Sequence, residues 1–107
     1  MRKKYVMAID QGTTGTRVIL FNHGGAIHAM AYREIKQYYP NPGWVEHDPD
    51  EIWDTVLACA RKACEQGKVD PGEIAAIGIT NQRESTILWE RDTGRPIHQA
   101  ICWACRR

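Results

Sequence analysis

The chain has 107 residues, 43% hydrophobic and 25% charged, with a net charge of +1. That length allows one small domain with a modest core, and the composition is globular rather than disordered. The near-neutral balance gives no electrostatic case for nucleic acid or an anionic membrane. The apolar run from Tyr5 to Ile9 is too short for a signal sequence or a membrane span, so a cytoplasmic location is expected.

A first strand is predicted over residues 5–10 and a second over 16–22. Between them runs Asp10-Gln11-Gly12-Thr13-Thr14-Gly15-Thr16-Arg17, a tight, hydroxyl-rich turn. Gly12 and Gly15 let the backbone approach a ligand closely, so its N–H groups can meet a phosphate. Thr13, Thr14 and Thr16 add donors. Asp10 is placed to hold Mg²⁺ through water, because that ion gives up its hydration shell reluctantly. The segment is no Walker loop: it lacks Gly-Lys-Ser/Thr, and no helix follows directly. An ordinary glycine–threonine hairpin fits the same residues, and the turn by itself leaves both readings open.

Asn22-His23-Gly24-Gly25 predicts a turn into a third strand over 26–34, completing an antiparallel meander. Residues 35–47 carry two prolines and a glycine and predict a loop whose aromatics pin it to the domain. A helix then starts. Asp48 is its N-cap, Pro49 suits the first position and Glu51 fits a capping box. Ile52, Trp53, Val56, Leu57, Ala60, Ala63 and Cys64 recur with helical period. Arg61 and Lys62 suit the C-terminal dipole, and Gly67 is the expected C-cap. After a turn at 70–73, the apolar run 74–80 predicts a strand buried on both faces and parallel to an earlier one.

Asn81-Gln82-Arg83-Glu84 stands at the carboxyl end of that strand, where open α/β sheets gather ligands. Arg83 can donate to hydroxyl oxygens of a polyol and Glu84 can accept from its hydroxyl protons. A surface ion pair accounts for the two residues equally well. A hairpin is expected over 85–90 and 96–101, turning at 92–94. Cysteines stand at 59, 64, 102 and 105. Cys102-Trp103-Ala104-Cys105 matches a zinc half-site or a redox pair in spacing. Cys59 and Cys64 make a poor second pair, so buried or incidental thiols are the expectation.

Four segments together carry a resemblance: Ala8-Ile9-Asp10-Gln11-Gly12-Thr13-Thr14, Pro42-Gly43-Trp44-Val45-Glu46-His47-Asp48-Pro49, Ile77-Gly78-Ile79-Thr80-Asn81-Gln82-Arg83-Glu84 and Trp103. Across essentially all 107 residues the chain resembles the N-terminal part of the FGGY family of carbohydrate kinases. The second and third segments point within that family to its glycerol-phosphorylating members. The resemblance implies an α/β fold: the N-terminal part of an actin/hexokinase-like (ribonuclease H-like) ATPase domain. It also implies ATP-dependent phosphorylation of glycerol to sn-glycerol 3-phosphate, with Mg²⁺ and as a homo-oligomer. By position, Thr13, Thr14 and Gly15 would contact nucleotide phosphates, with Arg17 nearby. Asp10 would organise Mg²⁺. Arg83 and Glu84 would bind glycerol hydroxyls, and Trp103 would pack on the glycerol carbons.

The general base and second domain of such an enzyme would lie beyond residue 107. Residues 1–107 are then an incomplete N-terminal domain, inactive alone and prone to self-association through uncovered sheet. Two positions depart from the family pattern. Gly15 stands where serine is common, and Trp103-Ala104-Cys105-Arg106-Arg107 replaces Trp-Gln-Asp-Arg-Arg. The second departure bears on which sugar or polyol is preferred. Another polyol or pentulose is the alternative substrate. A non-catalytic nucleotide- or polyol-binding module is the alternative outside enzymology.

Overall fold

Alternating apolar side chains fold the first third of the chain into the expected meander, in a computed structural model that describes residues 2–107. Strand β1 (Tyr5–Gln11) pairs antiparallel with β2 (Gly15–Phe21), and β2 with β3 (Ile27–Glu34). Asn22 organises the second turn: its side-chain carbonyl accepts from the backbone N–H groups of Gly24 and Ala26, both at 3.0 Å.

Helix α1 (Pro49–Gly67) starts on Asp48, whose carboxylate accepts from the Asp50 N–H at 3.0 Å. Glu51 does not close a capping box there. The preceding loop claims its carboxylate instead, with the Lys36 N–H donating at 2.5 Å and the Tyr38 hydroxyl at 3.1 Å. The reciprocal box occurs one element later: Asp70 and Glu73 cap a 3₁₀ turn, Pro71–Glu73. The C-cap is Lys68, at φ 54, and not Gly67. Gly67 is the last helical residue, and a Cβ there would come within 2.9 Å of His28 Cδ2 and 3.0 Å of Ala29 Cβ. Close packing of the helix end on β3 demands that glycine, not a left-handed turn. Arg61 and Lys62 also fall short of the last helical turn, which has no basic residue.

Strand β5 (Ile74–Asn81) lies parallel to β1, giving a sheet ordered β3-β2-β1-β5. Two short strands complete the fold. β4 (Glu46–His47) interrupts the loop expected over 35–47 and pairs antiparallel with β6 (Ala100–Ile101). This pairing reduces the expected 85–101 hairpin to isolated bridges, Thr86 with Ile101 and Trp89 with Pro96. Residues 100–101 have β4 as a second partner, and Pro96 has no N–H to extend a ladder.

One face of the sheet holds the core. Val18 and Leu20 are fully buried there with Met7 and Ala31, against Cys59 and Ala63 of α1. The helix packs chiefly on β2 and β3. Strand β5 is therefore not buried on both faces as its sequence implies. Ile77 and Ile79 stand 57% and 73% exposed. Ile77 also lines an apolar groove of about 900 Å³ with Met7, Ala60, Cys64, Val69 and Ile74. The uncovered sheet expected from the resemblance is thus present.

Candidate functional site

The parallel pairing of β1 and β5 sets Asp10 beside Thr80 and Gln11 beside Asn81. The turn after β1 and the loop after β5 consequently leave the sheet side by side. Gly12 and Thr13 from the first, Gln82, Arg83 and Glu84 from the second, and Trp103 line one cleft of about 500 Å³. Trp103 closes it: its indole Nε1–H donates to Thr13 Oγ1 at 2.7 Å. Glu84 holds a left-handed backbone, φ 61, which is rare and costly for a non-glycine residue and recurs at ligand-binding loops.

Four of the expected site residues, Thr13, Arg83, Glu84 and Trp103, therefore meet. The others do not line this cleft. Thr14 is exposed and lies 3.4 Å from the Tyr32 hydroxyl. Arg17, cross-strand from Asp10, turns its guanidinium over the Tyr32 ring at 5.2 Å. Gly15 is tightly enclosed: a Cβ would sit 2.5 Å from the Tyr32 hydroxyl and 2.6 Å from the Arg33 carbonyl oxygen. Tyr32 thus fills the space that a side chain at position 15 would occupy.

Asp10 is exposed and belongs to no ion pair among the described residues. An exposed carboxylate beside the 12–15 turn suits a water-mediated Mg²⁺ contact. Among the described residues no cluster of three His, Cys, Asp or Glu side chains could enclose a metal.

Sequence reasoning assigned no role to the polar side chains behind the cleft. His47 is fully buried, with Nε2 2.8 Å from Gln37 Oε1 and Nδ1 3.2 Å from Gln82 Nε2. Gln37 Nε2 donates to the Thr13 carbonyl at 2.8 Å, and Gln82 Nε2 also reaches Gln11 Oε1 at 3.3 Å. Ser85 Oγ donates to Gln82 Oε1 at 3.0 Å and accepts from the Trp103 backbone N–H at 3.1 Å. Burial pushes the His47 pKa below the ordinary histidine value, against a smaller opposing pull from Glu51. The only sequence signal for any of this is position: His47 and Gln82 both sit inside the quoted motifs.

A second polar cluster surrounds Cys105. Buried Glu46 binds Arg107 Nη2 at 2.5 Å, the guanidinium stacks 3.9 Å from the Trp44 ring, and Arg107 Nε donates to Cys105 Sγ at 3.0 Å. Burial opposes ionisation of Cys105, but hydrogen bonds from Arg107 and the Val45 backbone, with the charge of Arg107, outweigh it and lower the thiol pKa. Cys59 and Cys64 differ, since burial raises their pKa values. All four cysteines are free.

The FGGY family of carbohydrate kinases, N-terminal domain, matches residues 5–107. Among curated relatives, glycerol kinase of Methylibium petroleiphilum is 61% identical over 103 residues, 96% of this chain and 21% of that protein. Glycerol kinase of Halothermothrix orenii is 54% identical over 107 residues, all of this chain and 21% of that protein. Among solved structures, Plasmodium falciparum glycerol kinase with ADP superposes with a TM-score of 0.86 at 32% identity, covering 100% of this chain and 22% of that one. Xylulose kinase from Rhodospirillum rubrum superposes at 0.87 and 26% identity, covering 97% and 21%. The chain spans about a fifth of the length of these relatives.

Proposed function

Because the chain belongs to the FGGY family of carbohydrate kinases, we propose that it is the N-terminal part of an enzyme that phosphorylates glycerol with ATP, giving sn-glycerol 3-phosphate. The observation that carries this reading is the single cleft shared by Thr13, Arg83, Glu84 and Trp103. Phosphoryl transfer asks little covalent chemistry of a protein, so positioning and charge neutralisation supply most of the catalysis. Arg83 donates to glycerol oxygens, Glu84 accepts from a glycerol hydroxyl, and Trp103 packs on the carbons. Backbone N–H groups of the 12–15 turn and the hydroxyls of Thr13 and Thr14 receive the nucleotide phosphates, with Arg17 adding positive charge. When bound, Mg²⁺ would neutralise phosphate charge, held through water by Asp10.

The general base belongs to the remainder of the longer enzyme, so residues 1–107 form an incomplete domain with no turnover alone. A cytoplasmic homo-oligomer completes the reading; among the described residues no helix is long and apolar enough to cross a membrane. A pentulose or other polyol is the second reading, left open by Ala104 and Cys105, which follow Trp103 in sequence. The test is ADP release by the longer enzyme with Mg-ATP and glycerol, dihydroxyacetone, erythritol, xylulose or ribulose. Preference for glycerol supports the first reading and preference for another substrate the second. Nucleotide binding without turnover on any of them would leave a non-catalytic binding module.

A further inference from the structure

The polar side chains behind the cleft form a closed circuit. It runs from Thr13 to Gln37, His47, Gln82, Ser85, Trp103 and back to Thr13. Its hydrogen-bond directions follow from backbone groups that have no choice. The Thr13 carbonyl can only accept, so the Gln37 amide turns its nitrogen there and its oxygen toward His47. Nε2 of His47 must then carry the proton. In the neutral ring Nδ1 is an acceptor, and Gln82 supplies the donor. That fixes Gln82 Oε1 toward Ser85, whose hydroxyl donates to it while accepting from the Trp103 N–H. Every polar atom in this circuit has a role consistent with its neighbours, and none can reverse alone.

The circuit joins three segments that follow strands of the two sheets. Thr13 belongs to the turn after β1, Gln82 and Ser85 to the loop after β5, and Trp103 to the segment after β6. His47, on β4, stands between the first two. We propose that His47 is a positioning residue which, as the neutral Nε2–H tautomer, fixes the distance between the Thr13 turn and the Arg83–Glu84 loop. This rests on the proposed function in one respect: those two segments would carry phosphate and polyol respectively. His47 does not itself line the cleft.

A proton on Nδ1 would face the Gln82 amide nitrogen, donor against donor, and would open the circuit at that link. The charged groups near the ring are few. Glu51 of α1 favours the protonated form, but its carboxylate is engaged by Lys36 and Tyr38. The neighbouring Glu46 is engaged by Arg107. Across the circuit, the Cys102 thiol lies 3.9 Å from Gln82 Oε1.

The first test uses the longer enzyme with ¹⁵N-labelled histidine. The His47 ring is expected to show one neutral tautomer, protonated at Nε2, and to hold it below the usual histidine midpoint of about 6.5. A proton on Nδ1, or titration at the ordinary value, overturns the proposal. The second test uses the longer enzyme. His47→Gln keeps a donor toward Gln37 but loses the reach to Gln82. It is expected to lower kcat about 10- to 100-fold at saturating substrates, the penalty of a small misplacement of reacting groups, in an enzyme that still folds. Unchanged kcat in a folded His47→Gln enzyme overturns the proposal. A protein without kinase activity would sink the proposed function, yet the tautomer measurement would still decide the geometry.

Discussion

The helix-covered half of the sheet and the region beyond the strand ends are stabilised by different physics. Under α1, Val18, Leu20, Met7 and Ala31 are held by apolar area, which is non-directional and tolerant of small shifts. Beyond the strand ends, Gln37, His47, Gln82, Ser85 and Trp103 are held by hydrogen bonds that work only in one arrangement. Area decides whether the chain folds, whereas direction decides where Thr13 stands relative to Arg83 and Glu84. The two regions should therefore respond differently to mutation and to pH.

The largest expected effect is on the covered half. Leu20→Ala, at a fully buried site beneath the helix, should cost about 2–5 kcal/mol in urea unfolding. A loss under 1 kcal/mol by the same measure would mean that the helix does not depend on this core (about one methylene's worth). Next comes the Glu46–Arg107 pair, which ties β4 to the segment after β6. Glu46→Ala should lower the urea midpoint, because it removes the carboxylate that holds the Arg107 guanidinium. No change in the urea midpoint would show that solvent already screens the pair.

Much of the fold was legible from residue order, and the exceptions have local causes. The meander, the Asp48 cap and the parallel placement of β5 follow from periodicity and turn chemistry that act over a few residues. Glu51 misled because a distant loop, at Lys36 and Tyr38, competes for its carboxylate. Gly67 misled because its glycine answers to a neighbouring strand and not to its own φ. The burial of β5 was overcalled because an apolar run reports an appetite for cover, whereas the helix reaches chiefly β2 and β3. Within the site, Thr13, Arg83, Glu84 and Trp103 were marked by turn position and family resemblance. The circuit through His47 was not, because hydrogen bonds spanning residues 11 to 103 leave no periodic trace.

The pH response should separate the two regions further. The folded chain holds His47 below its unfolded pKa, so above about pH 6.5 its contribution is complete. As pH falls below that value, the unfolded chain takes up a proton that folded His47 refuses. Stability then declines by at most about 1.4 kcal/mol per pH unit until the folded pKa is reached. Urea midpoints between about pH 7 and pH 5 should show this slope in the parent and in Leu20→Ala, but not in His47→Gln. An equal slope in all three would assign it to other groups.

The smallest effect has the opposite sign. The Thr16 hydroxyl is fully buried without a hydrogen-bond partner. Thr16→Val should therefore raise stability by about 1 kcal/mol, seen as a higher thermal midpoint. A lower midpoint would mean that the covered half is not purely apolar in its demands.

The central claim is that the Thr13 turn and the Arg83–Glu84 loop are two sides of one reaction cleft. Steady-state kinetics of Arg83→Ala in the longer enzyme test it most directly. The account predicts a glycerol KM raised about tenfold or more, the worth of one lost charge-assisted hydrogen bond, with the ATP KM little changed. An unchanged glycerol KM in an active, folded Arg83→Ala enzyme would contradict it.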